Sequence, residues 1–129
     1  MIIKKIESQK IVDALKGLTR QYLVGNLQRP QILQHLYSSD VEIGISSYEK
    51  YTEELPHRHA HATEYQYVIS GWTKYLDVES MVEYEFKAGD FYQIEPGIAY
   101  AQKSKAGTKI LFIKVPSIND KVSVHITPE

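Results

Sequence analysis

The sequence predicts an all-β domain built as a sandwich or a small barrel. Short strand-like runs follow one another along most of the chain, and turn signals rich in Gly, Pro, Asp and Ser separate them. Ten tyrosines stand against three phenylalanines, and tyrosine favours strands. The amphipathic ring of tyrosine leaves two interpretations open: ordinary sheet composition, or a cavity or interface partly lined by phenols.

Length and composition indicate one domain, residues 1–129, with enough chain to bury a proper core. The formal net charge is −1 with both signs mixed along the chain, which is not the pattern of a nucleic-acid or membrane-surface partner. The chain has no cysteine, so disulfides and thiolate ligands are excluded. Met1–Lys5 lacks the apolar region of a signal peptide, and Ile110–Ile113 is too short to span a bilayer. We therefore expect a cytoplasmic protein.

The first third of the chain predicts a helix followed by strands. Residues 1–30 are expected to form an N-terminal extension. Apolar side chains between residues 8 and 18 recur at helical spacing, with Ser8 as the candidate N-cap. Arg20–Val24 is typical of a short strand. Ile32–Tyr37 and Val41–Tyr51 flank a turn composition and predict a hairpin. The segment 53–56 is predicted to be a loop.

The rest of the chain predicts a series of short strands. These are Glu64–Ser70, Trp72–Leu76, Met81–Phe86, Phe91–Ile94, Ile98–Gln102, Thr108–Val115 and Val122–Ile126. Side chains two apart on a strand share a face. Glu64 and Gln66 should therefore lie on one face, and Tyr65, Tyr67 and Ile69 on the other. Trp72–Leu76 is expected to pair back on the preceding strand, and the tyrosine-bearing face should be covered in a homodimer.

The stretch Pro56–Gly71 carries the clearest chemical signal. Three of the five histidines lie here, at positions 57, 59 and 61, and strand geometry would place them along one wall of a sheet. Glu64 follows. Imidazoles with a nearby carboxylate suit a first-row divalent metal, and two histidines with one carboxylate form the facial triad of non-haem iron sites.

The spacing of these residues resembles the first motif of the cupin family. One residue separates His57 from His59, four separate His59 from Glu64, and six separate Glu64 from Gly71. The sequence 89–100, GDFYQIEPGIAY, resembles the second cupin motif, G-D, four residues, P-x-G-x-x-H. The resemblance covers about residues 40–115. It implies the double-stranded β-helix, a jelly-roll barrel.

The resemblance also implies a divalent metal (Zn, Fe, Ni or Mn) bound by His57, His59 and Glu64. Two positions depart from the second motif. Glu95 stands where the family has proline, and Tyr100 stands where it has the last histidine ligand. Tyr100 can be a phenolate ligand, a ring filling the space of the histidine, or an acid, base or donor to a substrate oxygen.

Several polar residues near the motifs have more than one possible role. His61 can be a spare ligand, a catalytic acid–base group or an exposed residue at a bend. Glu95 can be a surface residue at a strand end, a catalytic or substrate-binding residue, or a group that helps replace the missing ligand. Gln66 and Gln93 are candidate substrate-binding residues because they share strands with the motif residues. His35 and His125 are expected to be structural or exposed.

Three classes of function fit these residues. The first is a metal-binding enzyme that isomerises or epimerises a sugar, sugar phosphate or nucleotide-linked sugar; His61, Tyr100 or Glu95 would then move protons. Polar and phenolic side chains near the cavity favour this hydroxyl-rich ligand. The second is an iron dioxygenase. The third is a non-catalytic module that binds a small ligand.

Overall fold

The computed structural model describes residues 3–124, which fold into one helix and eleven strands. The elements are α1 (Ser8–Leu15), β1 (Arg20–Gly25), β2 (Leu36–Tyr37), β3 (Glu42–Tyr48), β4 (Thr52–His59), β5 (Thr63–Ser70), β6 (Trp72–Asp77), β7 (Glu83–Lys87), β8 (Phe91–Ile94), β9 (Tyr100–Ser104), β10 (Thr108–Val115) and β11 (Lys121–Ser123). His125 and the end of the last predicted strand lie outside the described residues.

The strands form two sheets that face each other. One has six strands in the order β2-β1-β3-β10-β5-β8, and the other has five in the order β11-β4-β9-β6-β7. Consecutive strands often lie in different sheets, so the chain winds between the two layers. The prediction of an all-β jelly-roll barrel is therefore confirmed. The predicted helix is present too, although it begins after Glu7 without a side-chain cap.

Two local strand predictions are wrong. The expected hairpin is absent because β2 is only two residues long and pairs in parallel with β1. The strand Trp72–Asp77 pairs with β7 and β9 in the opposite sheet, not with β5. Gly71 between them has a positive φ of 78° and sends the chain across the barrel.

The predicted loop before the histidines is part of β4. Thr52–Glu54 pair with β9, and the ladder then shifts register before His57. Leu55 is 85% exposed within this irregular step. A proline is tolerated in a strand at such an irregularity because no ladder hydrogen bond needs its nitrogen. The bulge changes which side chains of β4 face inward, and so it aims the histidines.

The barrel interior is polar at one end and apolar at the other. Val68, Thr73, Thr108 and Ile110 are at most 1% exposed and fill the closed end. Towards the other end, inward positions carry histidine, glutamate, glutamine and tyrosine side chains. Such groups are buried only when they are hydrogen-bonded, and no buried side-chain polar atom among the described residues lacks a partner. This polar end is where a ligand site is expected.

The outer face of the six-stranded sheet carries exposed apolar side chains. Tyr67 is 42% exposed and Ile69 47%, and Phe91 on the neighbouring strand is 62% exposed. The rings of Tyr65 and Phe91 stack with centroids 6.2 Å apart. No helix within residues 3–124 has the length and hydropathy needed to cross a membrane.

Candidate functional site

A cavity of about 110 Å³ lies inside the barrel at its polar end. Its walls come from both sheets and are mainly polar. The side chains that carry its charge and hydrogen-bonding capacity are Arg20, Glu42, Glu54, His57, His59, Glu64, Gln66, Tyr100, Gln102 and Lys114.

Three strands position the central residues. On β4, the alternation of side chains turns His57 and His59 inward, where they are 5% and 8% exposed. On β5, the same alternation turns Glu64 and Gln66 inward. Tyr100 begins β9 directly opposite His57 in the ladder. The predicted cavity face of β5 is therefore as expected, and the two histidines share one wall.

His59 lies between two carboxylates. Its Nε2 is 2.9 Å from Glu64 Oε1, and its Nδ1 is 2.9 Å from Asp120 Oδ1. Both ring nitrogens therefore act as N–H donors, which is the pattern of an imidazolium. Burial opposes the charged ring, but the hydrogen bond to Glu64 and the charge of Glu64, with a further hydrogen bond to Asp120, outweigh burial and raise the pKa of His59.

Asp120 is fixed by the loop that carries the third histidine. Its Oδ2 accepts the backbone N–H of His61 at 2.8 Å and that of Ala62 at 2.7 Å. Burial alone would raise the pKa of Asp120, but these two donors and His59 lower it to about 2. Asp120 is thus an ionised anchor that orients His59.

His57 has the opposite environment. Its Nδ1 is 3.4 Å from the carbonyl oxygen of Leu55, and its Nε2 is 3.1 Å from the Tyr100 hydroxyl. Burial, helped by the positive charge of Lys121, lowers the pKa of His57. The ring is therefore neutral at pH 7, with its proton on Nδ1 and its lone pair on Nε2 towards Tyr100.

Tyr100 connects the two histidine environments. Its hydroxyl lies 3.1 Å from His57 Nε2 and 3.4 Å from Glu64 Oε2. Burial, together with the negative charge of Glu64, raises the pKa of Tyr100 well above its usual value. The phenol is therefore protonated, and it donates to a neutral imidazole or to a carboxylate.

Glu64 remains ionised although it is 8% exposed. Burial would raise its pKa, but the hydrogen bond and charge of His59 lower it. Its second oxygen accepts a hydrogen bond of 3.0 Å from Gln66 Nε2. The carboxylate is thus held in one orientation from both sides.

Gln66 links this carboxylate to a cluster of phenols. Its Oε1 accepts hydrogen bonds from Tyr75 at 2.7 Å and Tyr92 at 2.6 Å, and the two hydroxyls are 2.9 Å apart. Burial raises the pKa of Tyr75 well above its usual value. The tyrosine-rich composition therefore supplies phenols to the interior of the barrel.

Two more cations of the cavity form pairs, and Lys121 lines the cavity as an exposed side chain. Arg20 lies 3.3 Å from Glu54, which also accepts a hydrogen bond from Tyr48 at 3.0 Å. Lys114 lies 3.3 Å from Glu42. Together with the pair of His59 and Glu64, these contacts give each of these three cavity cations a carboxylate partner.

The structure brings together five of the predicted site residues: His57, His59, Glu64, Gln66 and Tyr100. The other three lie elsewhere. His61 is exposed at the bend after β4, and Gln93 and Glu95 are exposed and do not line this cavity. Gln93 points away because it alternates with the inward Tyr92, and its amide instead contacts the Tyr65 hydroxyl at 3.2 Å.

Sequence reasoning did not identify Asp120 or the pairs of Arg20 and Lys114. Asp120 lies 61 positions from its partner His59, outside both motifs, and no local pattern marks it. Arg20 had been assigned only to a strand. Their roles follow from how strands of both sheets meet around the cavity.

The donor set does not fit a metal ion as it is arranged. Within residues 3–124, no three His, Cys, Asp or Glu side chains converge in a way that could hold one. A histidine ligand needs a free lone pair, but both ring nitrogens of His59 face carboxylates and Nε2 of His57 faces a phenol. The metal at His57, His59 and Glu64 therefore stays a prediction.

No protein-family model and no curated protein matches this chain. Solved structures do. An uncharacterised double-stranded β-helix protein from Klebsiella pneumoniae is 20% identical, with 67% of this chain and 71% of that chain covered and a TM-score of 0.57. A cupin-2 domain protein from Shewanella frigidimarina is 22% identical, covering 70% and 83%, with a TM-score of 0.53. The nucleoside dehydratase Pac13 is 14% identical, covering 70% and 73%, with a TM-score of 0.59. These likenesses establish a common fold.

Proposed function

We propose that this chain, which has the cupin fold, is an enzyme that moves protons on an uncharged, hydroxyl-rich small molecule such as a sugar. One observation carries the proposal. Nε2 of His57 lies 3.1 Å from the Tyr100 hydroxyl at the wall of a buried polar cavity. Burial lowers the pKa of His57 and raises that of Tyr100, so a neutral base and a protonated donor stand side by side, as in enzymes whose environments drive the pKa values of an acid–base pair apart.

His57 is the proposed base. Its neutral Nε2 takes a proton from a substrate carbon next to a carbonyl, and the electron pair of the broken C–H bond moves to the carbonyl oxygen. The Tyr100 hydroxyl, 3.1 Å from Nε2 in the free protein, turns to donate to that oxygen. Return of the proton to the former carbonyl carbon, with transfer of the neighbouring hydroxyl's proton to the enolate oxygen, isomerises the substrate. Delivery of a solvent proton to the other face of the original carbon, with release of the His57 proton to solvent, epimerises it. Loss of a neighbouring hydroxyl, protonated to water, dehydrates the substrate.

His59, Glu64 and Asp120 hold the geometry of this reaction. Asp120 and Glu64 fix the ring of His59 from both sides. Glu64 then presents a fixed carboxylate 3.4 Å from the Tyr100 hydroxyl. That carboxylate accepts hydrogen bonds from substrate hydroxyls, and its negative charge keeps the phenol protonated until the substrate arrives.

The charge balance of the cavity supports an uncharged substrate. Three of the four cations that line the cavity, Arg20, Lys114 and His59, each have a carboxylate partner within 3.3 Å, and the fourth, Lys121, is exposed. A phosphate group would find those cations already paired and would meet three carboxylates at short range, which is unfavourable in a buried cavity. We therefore favour free sugars, or nucleosides whose sugar carries a carbonyl group, over sugar phosphates and nucleotide-linked sugars.

A fold neighbour gives independent support for this class of ligand. Pac13 is described as a nucleoside dehydratase. Its solved structures with uridine include variants that replace a histidine with glutamine or a tyrosine with phenylalanine. At 14% identity this likeness transfers no role to any residue here, and the proposal depends on the geometry of this chain.

The test is solvent exchange. The protein is incubated in D₂O with a panel of aldoses, ketoses and keto-deoxysugars, and with the corresponding phosphate esters, and NMR follows deuterium at carbon. We expect exchange with at least one uncharged sugar, and a loss of about 10²-fold or more in His57→Gln and Tyr100→Phe. His61→Gln, at an exposed histidine nearby, is the matched control and should exchange like wild type. Exchange that survives in His57→Gln would contradict the proposed base.

The other two classes predict different results. A metal-dependent enzyme, including the iron dioxygenase, should retain stoichiometric metal when purified without chelators and lose it in the double variant His57→Ala/His59→Ala. Elemental analysis decides this. A non-catalytic module should bind an uncharged sugar without exchange or turnover in the D₂O experiment.

A further inference from the structure

A second cleft of about 280 Å³ opens beside the histidine cavity. It lies where the two sheets end, because β7 is the edge of the five-stranded sheet and β8 the edge of the six-stranded one. No ladder joins these two strands in the described part of the chain. The volume is near the lower end of the roughly 300–1,000 Å³ typical of small-molecule pockets.

Aromatic rings form the inner wall of this cleft. Phe86 and Tyr92 stack with centroids 3.8 Å apart and planes 14° from parallel. Tyr75 meets Phe86, Tyr92 and Tyr100 edge-on at centroid distances of 5.9, 5.4 and 5.1 Å. These contacts hold the rings rigid, so the wall is present before any ligand arrives.

The outer wall is more open and includes polar groups. Tyr84 is 51% exposed and stands opposite Tyr75 in the β6–β7 ladder, on the same face. Ile98 is 38% exposed. Asp77 and Glu95 also line the cleft and bring carboxylates to it, and Gln93 lies at its edge with its amide on the Tyr65 hydroxyl. Apolar faces with a few polar groups suit a planar ring that carries amide or carbonyl functions.

Tyr100 lies between the cleft and the histidine cavity. It lines both spaces, and its hydroxyl contacts His57. A molecule seated at the Tyr100 hydroxyl therefore has the aromatic cleft beside it. The two spaces differ in chemistry, since one is lined by paired charges and the other mainly by rings.

We propose that the cleft is a second subsite that binds an uncharged planar ring of the substrate. This inference rests on the proposed function. It narrows the substrate class to a sugar that bears both a heterocycle and the carbonyl group needed for proton abstraction, such as a nucleoside with an oxidised sugar, with the sugar in the histidine cavity and the ring against the aromatic wall. Gln93 and Glu95, which lie outside the histidine cavity, then act at the edge of the ring subsite.

The experiment uses the intact chain with three probes: uridine, ribose and uracil. Binding is followed by NMR chemical-shift titration. Tyr84→Ala removes the most exposed ring of the cleft, and Tyr84→Phe is the matched control because it keeps the ring. Neither change touches the buried network. We expect Tyr84→Ala to weaken uridine and uracil about tenfold and ribose less than twofold, with Tyr84→Phe close to wild type.

His57→Gln separates this inference from the proposed function. Uracil should bind His57→Gln as it binds wild type, because the ring subsite excludes His57. Uracil binding to His57→Gln supports the subsite whatever the outcome for the chemistry. If, in addition, no variant of His57 or Tyr100 affects solvent exchange, the subsite stands and the proposed chemistry fails. If uracil and uridine fail to bind wild type, or bind Tyr84→Ala as tightly as wild type, the subsite is overturned. Equal weakening of ribose would overturn it too.

Discussion

Asp120 Oδ1 lies 2.9 Å from His59 Nδ1, and the other oxygen of the same carboxylate accepts two backbone N–H groups of the loop after β4. One side chain therefore closes the β4–β5 loop and orients a buried imidazolium. The loop from β10 to β11 carries this carboxylate across the end of the barrel. The contribution of the Asp120 carboxylate to stability and to the pKa of His59 can be measured by removing its charge alone.

Asp120→Asn should destabilise the fold and lower the pKa of His59. The amide keeps an oxygen for the backbone donors, but its NH₂ group faces a ring N–H, so a charge-assisted hydrogen bond is lost. We expect a loss of about 2 kcal/mol of unfolding free energy, measured by urea denaturation, and a lower His59 pKa by NMR titration. Asp90→Asn is the control, because Asp90 also accepts a backbone N–H, at 2.9 Å from Lys87, but touches no histidine. An unchanged His59 pKa would show that Asp120 does not set it.

The free energy of unfolding should be largest at mildly acidic pH and should fall at both lower and higher pH. The pKa of Asp120 is lowered from 3.8 to about 2, so its contribution, about 1 kcal/mol after screening by solvent, is present above pH 4 and is lost as pH falls towards 2. The pKa of His59 is raised above 6.5, so its contribution is present below that value and is lost as pH rises through the folded pKa. Urea denaturation across pH 2–9 should show both limbs. Asp120→Asn should flatten the acid limb, and an equally steep one would contradict this account.

The activity should show an acid limb below pH 6.5. His57 acts in its neutral form, and its pKa is lowered in the folded protein, so kcat/KM should rise with pH and level off before the usual histidine pKa is reached. Tyr100→Phe should lower kcat/KM about 10²-fold or more and move this limb to higher pH, because the neutral His57 ring loses the hydroxyl that donates to its Nε2. A limb centred above pH 6.5 in wild type would point to a different base.

The protein should form a homodimer through the outer face of the six-stranded sheet. Tyr67 and Ile69 are 42% and 47% exposed on that face, and water contact with such side chains is unfavourable. Tyr67→Lys should convert a dimer to a monomer in light scattering at micromolar concentration. Tyr51→Lys is the control, since Tyr51 is 51% exposed but lies in a turn. A monomeric wild type would refute the interface.

The sequence predicted the barrel and half of the site because both depend on local spacing. Alternation along β5 placed Glu64 and Gln66 inward, and the motif spacing placed His57 and His59 on one wall. His61 does not share the wall with His57 and His59, because β4 ends at His59 and the bend that follows turns the ring of His61 to solvent. Periodicity holds only while the strand continues.

The electrostatic character of the two histidines was beyond sequence reasoning. It depends on Asp120, Lys121 and Tyr100, which reach the histidines from other strands or loops. The pairing of β6 was missed for a similar reason, since a short turn usually joins neighbouring strands of one sheet. Here the chain crosses to the opposite sheet at Gly71.

Gly71→Ala should be among the most destabilising single changes in the chain. A Cβ at this position would lie 2.2 Å from Thr108 Oγ1 and 2.7 Å from Thr108 Cα, at a crossing where Thr108 Oγ1 bonds the backbone of Trp72. The positive φ of 78° adds strain for any residue with a side chain.

Gly97→Ala separates the steric clash from the backbone strain, because Gly97 has a φ of 83° but nothing within 4 Å of its Cβ position. We expect a loss of about 1 kcal/mol for Gly97→Ala and of about 3 kcal/mol or more for Gly71→Ala in urea denaturation. Equal losses would mean that the crossing of the two sheets has room for a methyl group.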